Sequence, residues 1–440
     1  MLEPDPLPPD PLPLPLRRDT VVDPAHAPGS SRRCQWAATM RGITSSSGLV
    51  VAHATSASRA AASEPQTSKA TATGHELPGA VTTGTAVVGF GPRPIDRAGR
   101  EALEDAMLAA GATRAVGGGR RATPEEPDPW RTCFERDRDR ILHAAAFRRL
   151  AGKTQVFVHP ADHQRTRLTH ALEVAQVATA VSRAVGLNTT LVEAMALGHD
   201  CGHGPGGHAS EDAFEVFIPD FHHARWGADV VLAPLNLCAE TLDGIRHHSW
   251  SLPAPATPEG ELLSWADRVA YCTHDLEDAV RAGIVAAEDV PEAVVALVGS
   301  HRSVQLRSFI AALVDAVLEH GVVGMAPEPA SALAALRSFN YERVYNRPAS
   351  IVQANAVVAV LRALVEHFAE HPERLPEIAE PVAAGTSPTL VDAAYSPLHR
   401  AVAYVAGMTD RFAFATAVEQ LGWDPGRLPV AVDARPAGVT

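Results

Sequence analysis

Apolar side chains recur along most of the chain at the spacing of α-helices. Val174, Val177, Ala178, Val181 and Val185 follow one another at i, i+3, i+4, i+7 and i+11, which places them on a single helical face. The same spacing predicts further helices over residues 97–110, 190–200, 266–283, 291–298, 304–320, 332–339, 351–368 and 397–406. We expect a capping box, Thr190-Leu-Val-Glu193, to open the helix over 190–200, and an apolar stripe with Val269 and Cys272 to face the core from the helix over 266–283. Strand patterns are sparse, the best candidate being residues 155–158. We therefore predict an all-α fold.

The first 90 residues carry no such pattern. Seven prolines fall within the first fifteen residues, and Ser, Ala and Thr dominate the sequence that follows. A segment of this composition cannot bury enough apolar surface to offset its chain entropy, so we predict a disordered extension over 1–90. The other predicted boundaries are a helical segment and linker over 91–129, a helical core over 130–285, a helical region packed on that core over 286–425, and a tail over 426–440.

The charge balance excludes some classes of partner. The 440 residues include 38 basic and 51 acidic side chains, a net charge of −13, so non-specific binding to duplex nucleic acid or to anionic membranes is not expected. No uninterrupted run of 18 apolar residues occurs, and we expect no transmembrane helix. Residues 131–170 nevertheless hold nine basic and four acidic side chains, which suits the capture of a small polyanion.

Cysteine usage indicates the cellular compartment. The five cysteines are an odd number and include no Cys-x-x-Cys pair. This usage is typical of free thiols in a reducing environment, so we expect a cytoplasmic protein.

Histidines cluster in one part of the helical core. Twelve of the twenty lie between His143 and His274, in a window that also contains the adjacent pair His199-Asp200. Imidazole and carboxylate groups are ligands that borderline divalent metals prefer, and they also serve as general acids and bases. A single histidine is more often a hydrogen-bonded core residue. Here the glycines at 198 and 202 break the helix around the His-Asp pair, so that both side chains could reach one ion.

An ordered set of motifs is more specific than its parts. Arg167-Leu-Thr-His170, then His199-Asp200, then Asp267 resembles the HD-domain metal-dependent phosphohydrolases. Five segments are similar to the deoxyguanosinetriphosphate triphosphohydrolase family: 134–143, 147–157, 199–208, 266–271 and 406–411. The resemblance extends from about residue 130 to 420. It implies an HD-domain catalytic core over 130–285 and a helical C-terminal extension.

The resemblance implies hydrolysis of a deoxynucleoside triphosphate, either dGTP or a broader range, to the deoxynucleoside and inorganic triphosphate. The motif match assigns the ligands of a divalent cation (Mg, Mn or Fe) to His170, His199, Asp200 and Asp267. It assigns the catalytic groups to His208, Glu211 and His223, with Glu211 orienting His208 from the next helical turn. Members of the family commonly form homo-oligomers, which we expect here.

Substrate contacts are expected from six residues. Arg167, three residues before His170, carries a bidentate fork suited to phosphate, and Lys153 is one of only two lysines in the chain. The other expected contacts are Gln155 with the sugar, His203 within the same site, and Tyr271 and Asp275 in the sugar and base pocket. We interpret four further arginines as solvated surface: Arg131, Arg136, Arg138 and Arg140.

Two departures from the family pattern lie near these residues. Gly206 replaces a phenylalanine that many relatives carry, so we expect a looser loop before His208. Ala224-Arg225-Trp226 replaces an Asn-Glu-Gln run, so we expect His223 to lose orienting groups, with an effect on the rate and on the choice of substrate but none on the metal ligands. Two alternatives stay open: another HD-type phosphohydrolase acting on cyclic or alarmone nucleotides, and a non-catalytic HD protein that senses nucleotides or binds nucleic acid.

Overall fold

Helices form all the regular secondary structure in the described part of the chain. The computed structural model describes residues 93–376 and 396–430, and within these ranges there are fifteen α-helices and no β-strand. The helices are α1 (Arg97–Met107), α2 (Cys133–His143), α3 (Ala145–Arg149), α4 (Arg167–Val185), α5 (Thr189–Gly198), α6 (Ala209–Glu215), α7 (His223–Trp226), α8 (Ala239–His247), α9 (Pro258–Arg281), α10 (Glu292–Val298), α11 (Arg302–His320), α12 (Pro327–Asn340), α13 (Pro348–Glu370), α14 (Pro397–Ala406) and α15 (Asp410–Leu421). The all-α prediction is confirmed, while the predicted extension over 1–90 lies outside the described residues.

Most predicted helices begin and end close to the expected residues, and capping explains the differences. α9 begins at Pro258 because the Thr257 side chain accepts a hydrogen bond from the backbone of Gly260, and proline suits the first helical position. The helix expected to begin with a capping box at Thr190 is α5. It is capped instead by Asn188, whose side chain accepts from the backbone of Leu191. The predicted capping box is therefore wrong.

The strand predicted at residues 155–158 is also wrong. These residues form a series of bends, next to an isolated antiparallel bridge between Thr154 and Thr166. Phe157 is buried in one apolar cluster and Val158 in another. A short run of apolar residues is the sequence pattern of a buried strand. Here the run arises because neighbouring side chains are buried in two different apolar clusters, and no second strand pairs with these residues.

The first apolar cluster surrounds α5. Leu191, Val192 and Met195 of this helix are fully buried, and α5 packs against α2, α4, α8 and α9. The stripe predicted on α9 faces the same interior, since Val269 and Cys272 are fully buried. The four cysteines within the described ranges are free thiols, as predicted.

A second apolar cluster is built by α6, α13, α14 and α15. Val357, Leu361, Leu364 and Phe368 of α13 are fully buried in it. Among the described helices, α13 is the one long and apolar enough to cross a membrane by length and composition. A helix packed into a protein core passes the same test, so this is weak evidence for a membrane span. One of the places where the chain passes from the first cluster to the second lies between α5 and α6.

Candidate active site

The connection from α5 to α6 directs His199 and Asp200 into one cluster. α5 ends at Gly198, and His199 follows in helical conformation before a series of turns. A side chain at Gly202 would overlap the carbonyl of His223 and the backbone of Gly227. Only glycine therefore lets the chain cross α7 so closely, and this crossing brings α7 next to the His-Asp pair.

The four side chains that the motif match assigns to a metal meet at this point. His170 comes from α4 and Asp267 from α9, and Nε2 of His170 lies 3.0 Å from Oδ1 of Asp267. Nε2 of His199 lies 3.7 Å from the same oxygen and 3.5 Å from Oδ1 of Asp200. Nε2 of His170 lies 3.9 Å from Oδ2 of Asp200. Two imidazoles and two carboxylates thus surround a common point.

This donor set fits a divalent cation. Nδ1 of His199 donates to the carbonyl of Ala196 at 2.7 Å, so Nε2 carries a lone pair. That nitrogen is buried and has no hydrogen-bond partner among the described residues, which is costly unless a cation takes the lone pair. Burial alone would raise the pKa of Asp200 and of Asp267. Arg167 beside Asp200 and His170 beside Asp267 outweigh burial and hold both pKa values below their usual range, so both groups stay ionised.

Arg167, at the start of α4, is buried beside the cluster. Its Nη1 donates to Oδ2 of Asp200 at 2.7 Å, and its Nε is buried without a hydrogen-bond partner in the described ranges. Gly207 has a φ of +65°, and a side chain there would meet Nη2 of Arg167 at 2.7 Å. The guanidinium therefore orients Asp200 and keeps a donor for an incoming anion.

A second group of histidines adjoins the first. Glu211 on α6 lies between His208 and His223. Its Oε1 accepts from Nδ1 of His223 at 2.6 Å and from the backbone of His223 at 2.8 Å, whereas its Oε2 lies 3.5 Å from Nδ1 of His208. The ring of His203 stacks on His223 with 3.7 Å between centroids. The structure therefore brings together the three predicted catalytic residues, and the shorter bond of Glu211 goes to His223.

His208 lies at the opening of this cluster, with 71% of its side chain exposed. Surrounding protein atoms lower the pKa of His208, but the Glu211 carboxylate outweighs them and raises that pKa. Burial and Arg167 hold the pKa of His203 well below its usual value, so His203 is neutral. Of the two rings, His208 is thus the one suited to carry a proton near neutral pH.

His248 also lies in this cluster, although the sequence motifs did not identify it. Its Nε2 is 3.1 Å from Nε2 of His223, and its ring centroid is 4.9 Å from that of His199. His199 and His248 each follow directly after a helix, and each donates Nδ1 to the carbonyl three residues earlier, for His248 that of Ile245 at 2.8 Å. Burial, with His199 and His223 nearby, lowers the pKa of His248 to about 3. The available sequence signal is a histidine directly after a helix end.

Lys153 supports the loop that carries His203 and His208. Its buried ammonium donates to the carbonyl of His203 and, at 3.0 Å, to that of Ala406. Burial lowers the pKa of Lys153 to about 7. In this structure Lys153 therefore supports the loop, and its phosphate contact stays a prediction.

Asp410 fixes the same loop from α15. Its Oδ1 accepts from the backbone of Gly206 at 2.8 Å, and its Oδ2 accepts from the backbone of Thr154 at 3.0 Å. Gly206 is buried with a φ of +73°, and a side chain there would overlap Val357. The looser loop expected at Gly206 is therefore wrong, because the glycine allows close packing against α13.

The remaining predicted contacts lie along α9 and before α4. The hydroxyl of Tyr271 accepts from Nε of Arg337 at 3.0 Å, and Asp275 accepts from the hydroxyl of Tyr345 at 2.6 Å. Burial raises the pKa of Asp275 to about 7. The side-chain oxygen of Gln155 is buried without a hydrogen-bond partner in the part of the chain that is described. Sequence reasoning did not identify Arg337 and Tyr345, because no local pattern links them to α9.

The four arginines interpreted as solvated surface form ion pairs; Arg131 is exposed, whereas the other three are partly buried. Arg131 pairs with Asp128 at 2.8 Å and with Asp139 at 2.9 Å. The other three pair with Glu125 or Asp139: Arg136, Arg138 and Arg140.

The chain matches two protein families. Residues 167–272 match the HD domain, and residues 323–419 match the phosphohydrolase-associated domain. A deoxyguanosinetriphosphate triphosphohydrolase-like protein from Caldanaerobacter subterraneus subsp. tengcongensis is 37% identical over 322 residues, covering 71% of this chain and 92% of that protein. Proteins described by the same words are 38% identical over 313 residues in Desulfatibacillum aliphaticivorans (67% of this chain, 88% of that protein) and 35% identical over 305 residues in Clostridium perfringens strain 13 (66% and 86%). Among solved structures, a hypothetical protein from Aquifex aeolicus matches with a TM-score of 0.40 at 16% identity. The match covers 65% of this chain and 68% of that protein's chain.

Proposed function

Because the chain belongs to the deoxyguanosinetriphosphate triphosphohydrolase-like family of HD-domain hydrolases, we propose that it hydrolyses a deoxynucleoside triphosphate to the deoxynucleoside and inorganic triphosphate. The observation that carries this proposal is the meeting of two groups in one cluster. One is the imidazole and carboxylate set around His199 and Asp200, and the other is His208, Glu211 and His223. The first group suits a metal ion, and the second suits proton transfer.

His170, His199, Asp200 and Asp267 would hold the divalent cation on which HD domains depend. Such a cation, when bound, polarises a phosphate oxygen and lowers the pKa of a water molecule. The protein's own part is to keep the Asp200 carboxylate ionised beside Arg167 and to direct the Nε2 lone pair of His199 inward through the hydrogen bond from its Nδ1 to the carbonyl of Ala196. The identity of the cation stays open between Mg, Mn and Fe.

His208 is positioned to serve as the general acid. Hydrolysis at the α-phosphorus expels the 5′-oxygen of the nucleoside, and this oxygen needs a proton. The exposed ring of His208 is within reach of an entering substrate, and Glu211 raises its pKa so that the protonated form persists at higher pH. Glu211 also fixes the ring of His223 beside it.

Arg167 and the α9 side chains would bind the rest of the substrate. The unpartnered Nε of Arg167 offers a charge-assisted hydrogen bond to a phosphate oxygen. Gln155 would contact the sugar, and Tyr271 and Asp275 would line the sugar and base pocket together with Arg337 and Tyr345. The catalytic domain over 130–285, the homo-oligomer and the cytoplasmic location stay predictions.

Product analysis tests this proposal. The purified chain would be incubated with each deoxynucleoside triphosphate and with Mn²⁺ or Mg²⁺, and phosphorus NMR or ion chromatography would identify the inorganic product. We expect intact triphosphate together with the free deoxynucleoside. Release of pyrophosphate or orthophosphate would contradict the mechanism, and turnover only of cyclic or alarmone nucleotides would favour another HD phosphohydrolase. An absence of turnover under all conditions would favour a sensor.

A further inference from the structure

Arg268 on α9 is an arginine that the proposed function does not use. It directly follows Asp267, and it lies three residues before Tyr271 on the same helical face. Burial raises the pKa of Tyr271, and the positive charges of Arg268 and Arg337 nearby oppose that rise. The guanidinium of Arg268 therefore lies near Tyr271, and the residue before it supplies a carboxylate to the candidate metal cluster.

Arg268 is held by an aromatic ring rather than by a carboxylate. Its guanidinium carbon lies 3.6 Å from the ring centroid of Trp250, and its Nε is buried without a hydrogen-bond partner within the described ranges. Arg165, by contrast, pairs with three carboxylates at 2.5–2.9 Å. A guanidinium stacked on a ring keeps its positive charge, and the N–H groups in its plane stay available to another partner. An arginine in this state is suited to bind an anion.

The loop that carries Trp250 is attached to the candidate site. Trp250 follows His248 by two residues, and the hydroxyl of the next residue, Ser251, lies 3.1 Å from Nε2 of His222. The indole ring also packs edge to face on Trp265 of α9, with 4.7 Å between the ring centroids. Since 39% of Trp250 stays exposed, the ring forms a supported surface for Arg268 beside the histidine cluster.

We propose that Trp250 is a positioning residue that holds the guanidinium of Arg268 ready to bind the triphosphate chain of the substrate. Phosphate oxygens accept the paired hydrogen bonds of a guanidinium. The guanidinium of Arg167 already donates to Asp200, whereas within the described ranges no carboxylate forms an ion pair with Arg268. Arg268 therefore offers a polyanion a charge that is not yet neutralised. The inference rests on the proposed function only for the identity of that polyanion.

Binding of inorganic triphosphate tests this role without turnover. The full-length chain, as purified, would be titrated with inorganic triphosphate in a calorimeter. We expect the dissociation constant to rise about 10- to 100-fold in Arg268→Gln, which loses a charge-assisted contact. It should rise about 3- to 10-fold in Trp250→Leu, which keeps the arginine but loses the ring below it. Trp250→Phe keeps an aromatic face, so it should restore most of the affinity.

A double-mutant cycle separates positioning from a general structural effect. Trp250→Leu should cause no further loss of affinity when Arg268→Gln is already present, because the ring then has no guanidinium to hold. Equal losses in both backgrounds would overturn the inference. Trp130→Leu is the matched control, since Trp130 is exposed and makes no ring contact within the described ranges, and its affinity should be that of the wild type. Trp250→Met takes the place of Trp250→Leu if that variant fails to fold.

Kinetics distinguish this inference from the proposed function. With a deoxynucleoside triphosphate as substrate, Trp250→Leu should raise KM more than it lowers kcat, because it weakens binding of the phosphate chain. A wild-type chain that binds triphosphate through Arg268 but hydrolyses no deoxynucleotide would support the inference and contradict the proposed function. Turnover together with unchanged triphosphate affinity in Arg268→Gln, or no triphosphate binding by the wild type, would overturn the inference and leave the proposed function intact.

Discussion

Asp410→Asn tests whether the C-terminal helices hold the histidine loop in place. The Asp410 side chain is buried, and it accepts hydrogen bonds from the backbone of Gly206 at 2.8 Å and from the backbone and hydroxyl of Thr154 at 3.0 and 2.5 Å. Asparagine has the same shape but only one acceptor oxygen. Whichever way the amide turns, its NH₂ group faces either the N–H of Gly206 or that of Thr154.

The cost follows from this geometry. One buried backbone N–H loses its acceptor in either orientation, and an unsatisfied buried donor costs about 1–3 kcal/mol. The hydroxyl of Thr154 can rotate and accept, so it adds little. We therefore expect the free energy of unfolding to fall by about 1–3 kcal/mol. Because His208 follows Gly206 by two residues, turnover should fall as well, while the metal content stays that of the wild type.

Urea unfolding followed by circular dichroism measures the change in stability. Asp424→Asn is the matched control, because within the described ranges the exposed Asp424 side chain accepts a single hydrogen bond, from the backbone of Gly426 at 2.9 Å, and asparagine retains this bond. We expect that control to change the free energy of unfolding by less than about 0.5 kcal/mol. An Asp410→Asn variant as stable and as active as the wild type would refute the proposed support of the loop.

Three further changes test other parts of the site. Asp200→Ala should abolish both bound metal and activity, whereas Asp229→Ala, at a half-exposed ion pair, should leave both unchanged. Elemental analysis measures the metal content, and full content in Asp200→Ala would mean that the site is wrongly placed. Glu211→Gln removes the carboxylate that raises the pKa of His208, so the alkaline limb of the activity–pH profile should move to lower pH, and an unmoved limb would argue against His208 as the acid. Gly202→Ala should lower the free energy of unfolding by well over the roughly 0.5 kcal/mol of a surface substitution, because the new side chain would overlap the carbonyl of His223 in α7. A melting temperature equal to that of the wild type would show that the backbone can move apart where it crosses α7.

The helices could be predicted because helical periodicity is a local property. α14 occupies the predicted range, and the stripe with Val269 and Cys272 faces the core of the first cluster. Helix ends were less accurate because a cap is a single side chain outside the periodic segment, as Thr257 and Asn188 show. The false strand at residues 155–158 has the same origin, since alternating burial does not reveal that the two surroundings are separate clusters.

Residues of the candidate site could be predicted where they belong to a short local motif. Residues that reach the site from distant parts of the sequence were not predicted. His199 and Asp200 are adjacent in sequence, and the helix break around them is visible in the glycines. Packing of helices that are distant in sequence brings His248 next to His223. It also brings Arg337 to Tyr271 and Tyr345 to Asp275 on α9. The sequence also cannot show that the buried ammonium of Lys153 donates to the carbonyls of His203 and Ala406.

The altered run after His223 illustrates why a departure from a family pattern need not weaken a site. The Asn-Glu-Gln run was expected to orient His223, yet the carboxylate of Glu211 already accepts hydrogen bonds from both the ring and the backbone of His223. Trp226 is buried in the second apolar cluster and packs on Phe221 with 5.1 Å between ring centroids, so the replacement contributes to the core. Orientation of His223 therefore depends on α6 rather than on the residues that follow it. For this reason Glu211→Gln should impair His223 more than any single substitution within residues 224–226, and a double substitution of that run with wild-type turnover would support this assignment.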